Sequence, residues 1–273
     1  MTDTRKSFVD IHGSRMSFVE AGVGPTVLLG SSYLWDADMW RPQLEALSSR
    51  FRVIAPDLWG HGASQALPAG TRDMRDLAHH HLALLDALGV ERCSIIGLSV
   101  GGMWGAELAQ MAPERVERLV LVATSLAAEP EASRDRNFAL LDTIETLGAL
   151  PEPIRAVVVP LFFSQTTPAK RPDLVTAFDA KLRKWPSARL VDSVVPLGRI
   201  IFGRRDAMDV LDGLPMRCLV MTGEEDVART REEGRAMAER IGCPFLSVPG
   251  AGHIANLEAP EFVTSALLDL LAA

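Results

Sequence analysis

The chain has 273 residues, 48% apolar and 23% charged, without a low-complexity tract, which excludes a disordered or fibrous protein and implies an ordered globule. A formal net charge of −7 speaks against a nucleic-acid partner, because phosphate binding needs a concentrated basic face. The polar stretch Met1–Ser7 and the shortness of the apolar run Thr26–Gly30 give no export or membrane-spanning segment, so the expectation is a cytoplasmic protein with no membrane partner.

In chain order, Phe8 to Glu20 alternates and turns at Gly13-Ser14, the pattern of a β-hairpin. Thr26 to Gly30 (TVLLG) reads as a short buried strand. A polar and aromatic loop, a helix from about Met39 to Leu47 and the strand Arg52 to Ala55 follow. Met74, Leu77, Ala78, Leu82, Leu85 and Leu88 recur at helical spacing, with Thr71 as the expected N-cap and Gly89 as the C-cap. Cys93 to Ile96 is a strand, Gly101 to Ala112 a helix stopped by Pro113, and Leu119 to Ala123 another strand. Apolar strands alternating with helices predict a parallel sheet covered on both faces.

The alternation breaks between Leu126 and Asp212, a helical, proline-punctuated stretch. It resumes with the strand Arg217 to Thr222, a helix near Thr230 to Ile241, the strand Phe245 to Val248 and a last helix from Pro260. The expected organisation is therefore a core of residues 1–125 and 213–273 with a helical cap, 126–212, inserted over the sheet's C-terminal edge. The cysteines Cys93, Cys218 and Cys243 form no Cys-x-x-Cys pair. Each sits in or beside a predicted strand, as inert core thiols in a reducing compartment would.

The strongest chemical signal is Gly97-Leu98-Ser99-Val100-Gly101-Gly102, between a strand and a helix. A serine hydroxyl is a weak nucleophile and must be held where a base takes its proton. A sharp strand-to-helix turn does this, and glycines on both sides leave room for it. The Val100 amide, at the start of the helix, lies where an oxyanion would form. His253, in Gly250-Ala251-Gly252-His253 after the last strand, is the candidate base. Asp226, at the end of RCLVMTG, is the favoured acid, with Glu224, Glu225 and Glu129 as competitors.

The second oxyanion amide is expected in the loop after TVLLG, from Tyr33 with Ser32 as the alternative. His61, in a glycine-rich turn, reads as structural. His79, His80 and His81 are consecutive on a helix and point apart, so no metal site is expected.

With those residues placed, the chain resembles the α/β-hydrolase superfamily over nearly its whole length, and in particular small esterases and 3-oxoadipate enol-lactonase-like members. The matching segments are Met39-Trp40, DLWGHGAS (57–64), GLSVGG (97–102), PERVERLVL (113–121) and PGAGHIANLEAP (249–260). Ser31-Ser32 replaces the His-Gly pair of most relatives, and Thr230 stands where a proline is usual. The resemblance implies an α/β-hydrolase fold, a mostly parallel central sheet flanked by helices, a triad of Ser99, Asp226 and His253, no metal and no cofactor.

The expected activity is cleavage of small or medium-chain carboxylic esters through an acyl-enzyme, by a monomer or homodimer. The alternatives are hydrolysis of an enol-lactone or other lactone, carbon–carbon bond hydrolysis, perhydrolysis, or a hydrolase fold that binds without turnover. Trp35, Trp59, Trp104, Phe162, Phe163 and Trp185 are the candidate pocket walls. Arg199, Arg204 and Arg205 are possible partners of a substrate carboxylate, with solvation as their default state.

Overall fold

In the computed structural model, which describes residues 5–272, the apolar segments pair into one eight-stranded sheet. The strands are β1 (Arg5–Ile11), β2 (Ser14–Ala21), β3 (Thr26–Gly30), β4 (Arg52–Pro56), β5 (Cys93–Leu98), β6 (Val116–Val122), β7 (Arg217–Gly223) and β8 (Phe245–Val248). They lie in the order β1-β2-β4-β3-β5-β6-β7-β8, antiparallel where β2 meets β1 and β4, and parallel elsewhere. Every residue of β5 is buried. A strand covered on both faces has no polar side, which is why CSIIGL carries no alternation.

The helices of the sheet layers are α1 (Arg41–Leu47), α2 (Met74–Ala87) and α3 (Val100–Met111). Four longer helices fill the stretch between β6 and β7: α4 (Glu131–Leu147), α5 (Glu152–Val158), α6 (Pro172–Arg183) and α7 (Val195–Phe202). After β7 come the longer helices α8 (Arg231–Ile241) and α9 (Pro260–Ala272). Pro153 and Pro172 stand in the first turns of α5 and α6, where the missing N–H has no partner to lose. Pro196 instead follows a π-helical turn at Leu190–Val194 that runs straight into α7.

Two expected caps are corrected. The N-cap of α2 is Asp73, whose carboxylate accepts the Asp76 N–H at 2.9 Å, while the Thr71 hydroxyl donates to the Pro68 carbonyl. At the other end the cap is Leu88, and Gly89, with φ +64°, turns the chain just beyond it. Thr230, in place of the usual proline, caps α8 in a reciprocal pair with Glu233.

Cys93 and Cys218 are buried, Cys243 half-buried, and all three are free. Burial pushes the first two thiols up to about 12 and the third to about 11. They stay protonated at neutral pH and are poor nucleophiles. Among the described residues no helix is long and apolar enough to cross a membrane.

Candidate active site

Ser99 sits between β5 and α3 with φ +56° and ψ −119°, a conformation an L-residue adopts only when its surroundings impose it. They do so through hydrogen bonds. The Ser99 N–H donates to Val122 O at 2.9 Å, and its carbonyl accepts from Gly102 N, Met103 N and the Thr124 hydroxyl. The turn is also tight enough to exclude side chains. A Cβ on Gly97 would lie 2.3 Å from Gly101 O, and one on Gly101 would lie 2.2 Å from Gly30 O. The glycines around Ser99 are thus required by contact with the neighbouring strand and with the helix itself.

The loops after β7 and β8 carry the next two residues and are stitched together. Glu224 N donates to Val248 O and Glu225 N to Ala251 O. His253 Nδ1 donates to Asp226 Oδ2 at 3.0 Å, with both side chains almost fully buried. A carboxylate only accepts, so the proton of a neutral ring lies on Nδ1 and Nε2 keeps its lone pair. The other oxygen, Asp226 Oδ1, accepts the amides of Ala228 and Arg229, each at 2.9 Å, which fixes the carboxylate plane.

The competing acids are engaged elsewhere. Glu224 accepts from Gly250 N, Glu225 from Gln165 N, and Glu129 pairs with Arg204 and Arg229. Glu258 anchors the His253 loop to the helical stretch, accepting Gly252 N at 2.7 Å and Ser164 N at 2.8 Å and bonding the Thr167 hydroxyl.

In the loop after β3, Ser32 N–H faces the Met39 thioether at 3.4 Å, which removes the Ser32 amide from the open site. Tyr33 lines the cavity that Ser99 opens onto, and its hydroxyl donates to Val194 O at 2.6 Å. Val100, as the first residue of α3, precedes the first intrahelical N–H bond. Leu34, with φ +70°, donates its N–H to His61 Nε2 at 3.0 Å, while His61 Nδ1 donates to Trp59 O at 2.8 Å. His61 therefore holds the loop that carries Tyr33. The sequence shows it only as part of a glycine-rich turn. The available signal is that this turn follows β4 and so shares the sheet's C-terminal edge with Ser99.

Ser99 and His253 open onto one cavity of about 340 Å³. Its wall is largely aliphatic, from residues such as Leu140, Ile144, Val157, Leu161 and Val227, and its polar end is made by Glu129, Ser133, Arg136 and Asn137. Of the six aromatics expected there, only Phe162 lines it. Trp35 stacks on Phe178 and meets Phe163 edge-on, Trp59 donates to His80 Nδ1, Trp104 stacks on His81, and Trp185 packs edge-on against His61. These rings have partners inside the fold, and mainly aliphatic side chains between β6 and β7, such as Leu140, Ile144, Val157, Leu161 and Ile201, supply the cavity's apolar surface instead. Arg204 also departs from expectation. Its side chain is buried against Glu129, whereas Arg199 and Arg205 are exposed.

Residues 25–260 match the sequence profile of the alpha/beta hydrolase fold. The chain belongs to the α/β-hydrolase family. Among α/β-hydrolases, a 3-oxoadipate enol-lactonase of Acinetobacter baylyi is 26% identical over 87% of this chain and 85% of its own. A thermophilic esterase from Thermogutta terrifontis superposes with a TM-score of 0.87 at 27% identity, over 98% of both chains. The enol-lactonase from Burkholderia xenovorans LB400 does so at 0.87 and 25% identity, over 98% of this chain and all of its own.

Proposed function

We propose that this α/β-hydrolase cleaves carboxylic esters of small or medium acyl chains through an acyl-enzyme on Ser99. The observation that carries the reading is the His253–Asp226 hydrogen bond behind a serine held in a strained turn, with serine and histidine open to one apolar cavity. His253 Nε2 takes the Ser99 proton as Oγ attacks the ester carbonyl, and Asp226 stabilises the imidazolium that forms. The Tyr33 and Val100 amides hold the oxyanion. Protonated His253 then gives its proton to the leaving alcohol, and water activated by the same ring releases the acid.

Residues 126–212 act as a cap in this reading, since most of the cavity's apolar wall, from Leu140 to Phe202, comes from this stretch. Free, protonated thiols fit a reducing, cytoplasmic setting.

A second reading uses the same attack on a lactone, whose acid and alcohol stay on one molecule. Arg136 favours it: it lines the cavity and, among the described residues, hydrogen-bonds only the Ser133 hydroxyl, leaving guanidinium capacity for a substrate carboxylate.

The test is turnover of p-nitrophenyl esters from acetate to decanoate by wild type and Ser99→Ala, with an enol-lactone assayed in parallel. Ester hydrolysis that collapses in the variant supports the main reading, and a cavity of this size predicts decline before decanoate. Turnover of the lactone alone selects the second reading, and ester turnover that survives Ser99→Ala rejects both.

A further inference from the structure

A second cavity, of about 510 Å³, lies where the start of α2 and the side of α3 meet the segment just after α7. It shares no lining residue with the Ser99 cavity. The Glu129–Arg204 ion pair stands between the two, Glu129 facing the first and Arg204 the second. In a chain of net charge −7, this cavity is lined by five arginines against two acids.

The two acids are already engaged. Asp73 caps α2, and Glu107 pairs with Arg205 at 3.4 Å within the lining. Three of the arginines, Arg72, Arg199 and Arg205, also bond acids outside the lining. Arg75 is exposed at the rim and in no ion pair among the described residues.

Arg204 is the decisive group. Its side chain is 4% exposed, and its Nη1 donates to Glu129 Oε2 and Ile201 O, each at 2.9 Å. Its Nε and Nη2 find no partner among the described residues and have almost no accessible surface, so a ligand in the cavity reaches them only as the side chain turns toward it. Buried guanidinium N–H groups are costly to leave unbonded, and a planar pair of them matches the two oxygens of a carboxylate or phosphate.

We propose that this second cavity is a binding site for a small oxyanion-bearing molecule, carboxylate or phosphate, held by Arg204 on the inner wall and Arg75 at the rim. The site is independent of the chemistry at Ser99. Its ligand need be neither substrate nor product.

The experiment is calorimetric titration of the full chain, at low ionic strength, with citrate and separately with pyrophosphate, each to about 10 mM. Saturable binding of at least one probe, with one site per chain, is expected, and the tighter probe tells carboxylate from phosphate. Arg75→Glu, an exposed change, should weaken binding about tenfold or more. Arg136→Glu, in the Ser99 cavity, should leave it unchanged. Arg204→Met should abolish it where the variant folds, but Arg75→Glu carries the test because Arg204→Met also unpairs Glu129. No saturable binding of either probe, binding indifferent to Arg75→Glu, or binding lost in Arg136→Glu would each overturn the proposal.

Discussion

The backbone N–H of Leu34 donates to Nε2 of His61 at 3.0 Å, one residue beyond the amide assigned to the oxyanion. With Nδ1 donating to Trp59 O, the ring is neutral and both its nitrogens are used. Burial favours that state, lowering the His61 pKa to about 4. In the proposed mechanism His61 is a positioning residue, and His61→Ala should misplace the Tyr33 amide. The expected result is a fall in kcat of about a hundredfold, the scale of one lost oxyanion donor, with KM changed far less. His61→Gln, whose amide oxygen can accept the Leu34 N–H, should recover part of the loss. An unchanged kcat in His61→Ala would remove this role.

Acid should destabilise the fold in a defined window. Burial depresses His61 and His80 to about 4 and His81 to about 3, whereas each titrates near 6.5 when unfolded. Between those values the unfolded chain binds protons that the native one refuses, so stability rises with pH. The contribution is complete above about pH 6.5 and is lost as pH falls toward about 4, amounting to roughly 3 kcal/mol for His61 alone. Urea unfolding at pH about 7.5 and about 5 checks this through the midpoint. Equal midpoints would mean that the three rings are not held neutral.

The parts of this molecule that sequence reveals are those decided by local chemistry. Strand β5 is buried throughout because both its faces are covered, and its lack of a polar alternation is visible without a partner. Ser99 is legible because its turn needs glycines at fixed offsets. His253 is legible from a glycine-bearing loop after a strand. Asp226 needs the third dimension, since Glu224 and Glu225 are its neighbours and only the loop's course sends one acid to His253.

The aromatics fail for a related reason. An indole's sequence context says that it is buried, but not that Trp104 lies on His81 or Trp35 on Phe178. Arg204 reads as a solvated charge because its acid, Glu129, is 75 residues away in the chain.

Asp226→Asn tests the acid with little change in shape. Oδ1 must remain an acceptor for the Ala228 and Arg229 amides, so the new NH2 group faces His253 Nδ1. A donor there forces the ring's proton onto Nε2, which then has no lone pair for the Ser99 proton. The kcat should fall by about 10⁴-fold while the unfolding temperature stays close to that of wild type. A loss smaller than about tenfold would show that another group orients His253.

Tyr33→Phe separates the backbone of Tyr33 from its side chain. The phenol is buried, its pKa is driven well above the ordinary tyrosine value by desolvation, and its hydroxyl is spent on Val194 O at 2.6 Å. A group so engaged is a poor proton donor to substrate. Phenylalanine preserves the amide, the ring and the edge-on contact with Phe202. The structural cost is a buried carbonyl deprived of that donor, about 1–3 kcal/mol, or a few degrees in Tm. Turnover of a p-nitrophenyl ester should stay within about threefold of wild type, because in the proposed mechanism the oxyanion donor is the N–H. A fall of about a hundredfold at unchanged Tm would instead place the hydroxyl in the chemistry, with the Val194 bond broken when substrate binds.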